Sequence, residues 1–132
     1  MATLTSFTEI LAWQKARELS KAIFDLTCSG TFSRDFGLKD QINRATGSIM
    51  DNIAEGFNRG GKNEFVNFLS YSKGSTGETL SQLYRALDRK HITADQFNLH
   101  RSKTDELLKM IGSFMIYLNS TDFRGMKFKD RT

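Results

Sequence analysis

The chain has 132 residues, 39% hydrophobic and 26% charged, with ten glycines, one cysteine, two histidines and no proline. That length supports one domain with a single core, and the balance of apolar and charged residues excludes a disordered chain. The formal charge of +4 is concentrated, because Arg124, Lys127, Lys129 and Arg131 against Asp130 place +3 in residues 124–132 and leave the body nearly neutral.

Ser6, followed three residues later by Glu9, has the form of a capping box and predicts a first helix from Ser6 to about Thr27. Ala12, Ala16, Leu19, Ile23 and Leu26 alternate spacings of four and three and form its core face. Trp13 and Phe24 lie off this stripe and either widen the core face or meet another subunit. Cys28-Ser29-Gly30-Thr31 reads as a helix stop and turn. A second helix is expected to start between Ser33 and Gly37. Its apolar face is Leu38, Ile42, Ala45, Ile49 and Ile53, beside a polar stripe of Gln41, Arg44, Ser48, Asn52, Glu55 and Arg59.

Gly56 and the pair Gly60-Gly61 predict a break, with Glu64 in a tolerable cap position at the start of a third helix. Phe65, Phe68, Leu69, Ser72, Thr76, Thr79, Leu80, Leu83 and Leu87 keep helical spacing, and the small polar middle of that face permits close backbone approach. Gly74 and Gly77 each cost roughly 1 kcal/mol relative to alanine in a helix interior, which tertiary contacts must offset. Thr93 with Gln96 is a second capping box, and Ile92 with Phe97 a hydrophobic staple; together they mark the last helix, whose apolar face runs through Leu107, Ile111 and Leu118 to about Asn119. The expected fold is all-α, an antiparallel up-down four-helix bundle over residues 1–120, followed by a basic, flexible tail over 121–132.

Chemistry-bearing patterns are few. Gly56-Phe57-Asn58-Arg59-Gly60-Gly61-Lys62-Asn63 nearly spells a phosphate-binding P-loop, but Asn63 stands where magnesium needs a hydroxyl and no strand precedes it. A plain interhelical turn is the reading, with phosphate held by glycine amides, Arg59 and Lys62 as the alternative. Bundle metal sites pair Glu-x-x-His motifs with further carboxylates. A single Asp88-x-x-His91 and an isolated His100 do not supply these, so no metal or cofactor is expected. Cys28 reads as a small buried residue. As a lone thiol it closes no intrachain disulfide, which suits the cytoplasm. No N-terminal leader and no apolar run of about 20 residues is present, so neither export nor a membrane span is expected.

The polar stripe of the second helix, with Glu64, Tyr71, Ser75, Glu78 and Gln82 on the third, is the most informative feature. Arg44 and Arg59 can pair with Glu55, Glu64 or Glu78, within the fold or across a subunit boundary. The candidate polar network or subunit interface is therefore Gln41, Asn52, Glu55, Glu64, Ser75 and Glu78. The candidate anion- or RNA-binding residues are Arg44, Arg59, Lys62 and the tail residues Arg124, Lys127, Lys129 and Arg131.

Ala12-Trp13-Gln14-Lys15-Ala16, Phe36-Gly37-Leu38 with Gln41-Ile42 and Arg44-Ala45, Asn52-Ile53-Ala54-Glu55-Gly56 with Arg59, Glu64-Phe65 with Phe68-Leu69, and Lys73-Gly74-Ser75 with Glu78 form a pattern across nearly the whole chain. In this it resembles the small four-helix-bundle proteins encoded within intervening sequences of bacterial 23S ribosomal RNA genes. Ser33 and Met50 stand where that family often has proline, which leaves the second helix freer to run straight. The resemblance implies an up-down bundle assembling as a ring-shaped homopentamer with no catalytic residues. Related bundles bind RNA and a reverse transcriptase, which implies RNA or an RNA-processing or reverse-transcribing protein as a partner.

The expectation is a non-catalytic, homo-oligomeric binding or scaffold protein of the bacterial cytoplasm, RNA-associated. The alternatives are a purely structural or protein-binding oligomer without nucleic-acid affinity, and an enzyme with a site of acidic residues and arginine.

Overall fold

A computed structural model of the chain describes residues 4–121, and the tail candidates Arg124, Lys127, Lys129 and Arg131 lie outside the described residues. Four helices make up the fold, α1 (Leu11–Thr27), α2 (Phe36–Arg59), α3 (Lys62–Asp88) and α4 (Ala94–Ser120), and no strand occurs among the described residues. Each helix packs against the next, and α1 also packs against α4.

The predicted apolar faces meet in one core. Ala16, Leu19 and Ile23 of α1, Leu38, Ile42, Ile49 and Ile53 of α2, Phe65, Leu69 and Leu83 of α3, and Leu107, Ile111 and Leu118 of α4 are buried together. Hydroxyls fill the narrow α2–α3 seam. Ser72 Oγ donates to the Ile49 carbonyl at 2.9 Å, while Thr76 and Thr79 donate to the Ser72 and Ser75 carbonyls of their own helix. Each buried hydroxyl is thus satisfied without a bulky partner, and the backbones approach closely. α3 runs unbroken through Gly74 and Gly77.

Two boundaries differ from expectation. Ser6 and Glu9 do form a reciprocal capping box, but it caps a short 3-10 turn, Phe7–Glu9; Ile10 is extended, and α1 begins only at Leu11. Ile10 is itself buried, so core burial turns the chain between the two segments. Gly56 is not a break but lies inside α2. A Cβ there would meet the Phe68 Cβ at 2.6 Å and the Phe65 ring at 3.1 Å, so its missing side chain lets α3 cross close by. The turn itself needs only Gly60, at φ 90°, and Gly61, the N-cap of α3.

The Thr93–Gln96 capping box is present in both directions, with Gln96 N–H to Thr93 Oγ1 at 3.1 Å and Thr93 N–H to Gln96 Oε1 at 2.9 Å. Ile92 and Phe97 are both buried beside it.

Candidate functional site

The polar stripes of α2 and α3 line an open groove of about 540 Å³ whose sides include Gln41, Arg44 and Ser48 on α2 and Ser75, Glu78 and Arg85 on α3. The polar side chains along and beside it bond among themselves. Arg85 Nη1 donates to Gln41 Oε1 at 2.9 Å, Ser75 Oγ to Ser48 Oγ at 3.0 Å, and Asn52 Nδ2 to the Ser48 carbonyl and hydroxyl at 2.9 Å each. Gln82 is buried on the same wall, and its Oε1 accepts no hydrogen bond among the described residues. A buried acceptor without a partner costs about 1–3 kcal/mol.

The candidate cations do not converge. Arg44 Nε pairs with Asp40 at 2.9 Å, one turn earlier, and points along α2 in solvent. Arg59 Nη2 pairs with Glu55 at 2.8 Å and Nη1 lies 3.8 Å from Glu64, while its guanidinium covers the Phe68 ring at 5.0 Å. The Glu55 hydrogen bond and the neighbouring carboxylates hold that guanidinium above its ordinary pKa. Lys62 Nζ donates to the Thr121 carbonyl at 3.1 Å. The start of α3 already carries its own anion, Glu64, in the first turn, where the helix dipole favours one. Among the candidate acids, Glu55 and Glu64 therefore belong to the Arg59 cluster, whereas Glu78 stands on the groove rim with no ion-pair partner among the described residues.

A second polar cluster was not legible in the sequence. His91 is not paired with Asp88 through the Asp-x-x-His spacing; its Nε2 meets Asp35 Oδ2 at 2.9 Å, its Nδ1 meets Thr31 Oγ1 at 2.8 Å, and its ring stacks on Phe32 at 5.2 Å. Arg89 Nη1 donates to the same Asp35 oxygen at 2.8 Å. Hydrogen bonds from His91 and then Arg89 hold the Asp35 carboxyl down at about 2. Asp35 is also the N-cap of α2, so one carboxylate starts α2 and ties it to the α3–α4 turn. The signal available in sequence was Asp35 just before a helical run, an N-cap pattern; nothing local points to His91. His100 is buried, with Nδ1 2.7 Å from the Gln96 carbonyl of its own helix. Cys28 is exposed, not buried as expected, because it sits past the end of α1 beyond the core stripe.

Among the described residues, no group of three or more His, Cys, Asp or Glu stands where it could hold a metal ion, and no helix is long and apolar enough to cross a membrane.

Comparison with known proteins finds that residues 8–113 match the family model described as "23S rRNA-intervening sequence protein". No curated protein matches the chain. Among solved structures, one similar to it is a protein of unknown function from the S23 ribosomal protein family of Bacteroides thetaiotaomicron. It is 23% identical, aligns over 80% of this chain and 95% of its own, and has a TM-score of 0.74. At that identity the likeness establishes the fold alone.

Proposed function

The chain belongs to the 23S rRNA-intervening sequence protein family, and on that premise we propose that it is a non-catalytic scaffold that works by assembling with copies of itself. The observation that carries this reading is apolar surface left over once the core is filled. Phe36 is 76% exposed and Ile116 71%. The α1–α4 side also holds an apolar hollow of about 250 Å³ lined by Leu4, Ile10, Leu11, Met110 and Phe114. Covering such surface removes it from water at roughly 25 cal/mol per Å², a gain open to an assembly and not to a lone protomer. In this reading the four helices alternate direction as an up-down bundle, and the copies close into a ring, a homopentamer, in the cytoplasm.

Light scattering tests it. A particle several times the 15.0 kDa protomer mass is expected, and a 15.0 kDa particle at every concentration removes the reading.

Association with RNA is a second reading, supported by the family's description and by Arg44, whose side chain is 79% exposed and held only by an exposed carboxylate. Arg59 and Lys62 are already engaged within the protomer, so repetition of Arg44 around the ring supplies the positive charge. RNA retention that falls steeply with added salt and weakens in Arg44→Ala, with Arg59→Ala unchanged, is expected; no retention at low salt removes this second reading.

A further inference from the structure

Thr31, His91 and Asp35 form one hydrogen-bonded chain of hydroxyl, imidazole and carboxylate. His91 lies in the α3–α4 turn, while Thr31 stands in the 3-10 turn Gly30–Arg34 and Asp35 just after it, before α2. Thr31 Oγ1 is 2.8 Å from His91 Nδ1, and His91 Nε2 is 2.9 Å from Asp35 Oδ2. Thr31 is exposed, whereas the His91 side chain is 11% exposed and its ring is held by stacking on the buried Phe32. The hydroxyl is open to a reactant and the imidazole behind it is shielded.

The carboxylate sets the direction of the bonds along this chain. Asp35 is held down to about 2, first by His91 and then by Arg89, so at neutral pH it is ionised and only accepts. Nε2 must then carry a hydrogen, and in the neutral imidazole Nδ1 keeps its lone pair. The Thr31 hydroxyl donates to that lone pair. A hydroxyl whose proton points at a base, with the base oriented by a third group, is activated for nucleophilic attack. Two neighbouring hydroxyls lack this arrangement. Ser29 is exposed and its side chain caps no backbone group, and Ser33 Oγ donates to the Gly30 carbonyl at 2.7 Å.

We propose that Thr31 is an acyl-acceptor site, whose hydroxyl takes an acyl group from an activated ester or thioester with His91 as the base. Thr31 Oγ1 attacks the carbonyl carbon and passes its proton to His91 Nδ1. The bond to the leaving alkoxide or thiolate breaks. That group departs with the electron pair and takes up the proton, which leaves an ester on Thr31 and a neutral His91. Acyl transfer needs this nucleophile and base, whereas phosphoryl transfer relies on cations around the phosphate, and the cation bonded here, Arg89, is already committed to Asp35. The modification is stoichiometric, so it goes beyond the scaffold reading and does not depend on it. The ester also removes the hydrogen that Nδ1 accepts, which loosens one tie between the turn before α2 and the α3–α4 turn.

Acylation of the full-length protein by p-nitrophenyl acetate tests it, in a Cys28→Ser background because the exposed Cys28 thiol reacts with such esters by itself. Peptide mapping by mass spectrometry compares Thr31 with Ser29 and Ser33 in one folded molecule. The serines carry the less hindered, primary hydroxyls, yet Thr31 is expected to acylate about tenfold faster or more. Thr31→Ser is expected to keep the label at position 31. Asp35→Asn keeps an N-cap residue for α2 and is expected to slow labelling by about tenfold or more, because the base loses its fixed tautomer. Thr31 labelled no faster than Ser29 and Ser33 overturns the assignment, a comparison that needs no variant at the cluster. A folded Asp35→Asn protein labelled at the parent rate overturns it as well.

Discussion

His91 Nε2 lies 2.9 Å from Asp35 Oδ2 across 56 residues of sequence, and Arg89 donates to the same oxygen. This bond fastens the start of α2 to the turn between α3 and α4. Asp35 is held down to about 2, first by the hydrogen bond from His91 and then by that from Arg89. A carboxyl whose folded value lies below its ordinary value stabilises the fold above that ordinary value and loses the contribution as pH falls. Stability is therefore expected to drop between about pH 4 and pH 2, as Asp35 takes up its proton. Thermal melts of wild type and Asp35→Asn across that window check this. The variant starts lower at neutral pH and shows a flatter acid decline; parallel curves sink the idea.

Glycine at 56 and glycine at 112 predict opposite outcomes. Alanine at 56 drives a Cβ to 2.6 Å from the Phe68 Cβ, and the α2–α3 crossing must open. The expected cost is about 1–3 kcal/mol, beyond the helix-propensity gain. Alanine at 112 meets nothing within 4 Å in the interior of α4, so up to about 1 kcal/mol of gain is expected. Urea unfolding of the two variants decides it through the sign of the midpoint shift.

Lys90 sits at φ 61°, a left-handed position that a side chain disfavours, where α3 ends and its N–H bonds the Leu87 carbonyl. Lys90→Gly relieves that strain while loosening the unfolded chain, and a net gain below about 1 kcal/mol is expected. A lower melting temperature in the variant would contradict the assignment of strain.

Thr93→Ala removes the oxygen that accepts the Gln96 N–H at 3.1 Å, leaving Ile92 and Phe97 packed. The loss expected is about 1 kcal/mol. Amide exchange localises it. Faster exchange confined to the first turn of α4 is the expected result, and unchanged rates there speak against the cap.

How far the fold was legible depends on range. Ala16, Leu19, Ile42, Ile49, Leu107 and Ile111 declared their burial by spacing, because a helix face is set by a 3.6-residue period that needs no tertiary knowledge. The Thr93–Gln96 box was legible for the same reason, since both partners lie within one turn. Gly56 was misread as a break, because a glycine that admits a neighbouring helix and a glycine that ends a helix look alike until the neighbour is placed. His91 offered no metal motif and no local partner, and it bonds Asp35, which only the approach of two distant turns brings within reach.

The sequence by itself determined the four helices, their inward faces and the Thr93–Gln96 cap of α4, since these follow from contacts between residues a few positions apart. The tertiary structure alone decided which charges meet. Arg44 was bound to Asp40, Arg59 to Glu55 and Glu64, and Lys62 to the end of α4, while Glu78 was left exposed on the groove rim and the Gln82 carbonyl buried without a partner among the described residues. Long side chains choose among several partners of similar energy, and distances of an ångström, set by how the helices cross, make the choice.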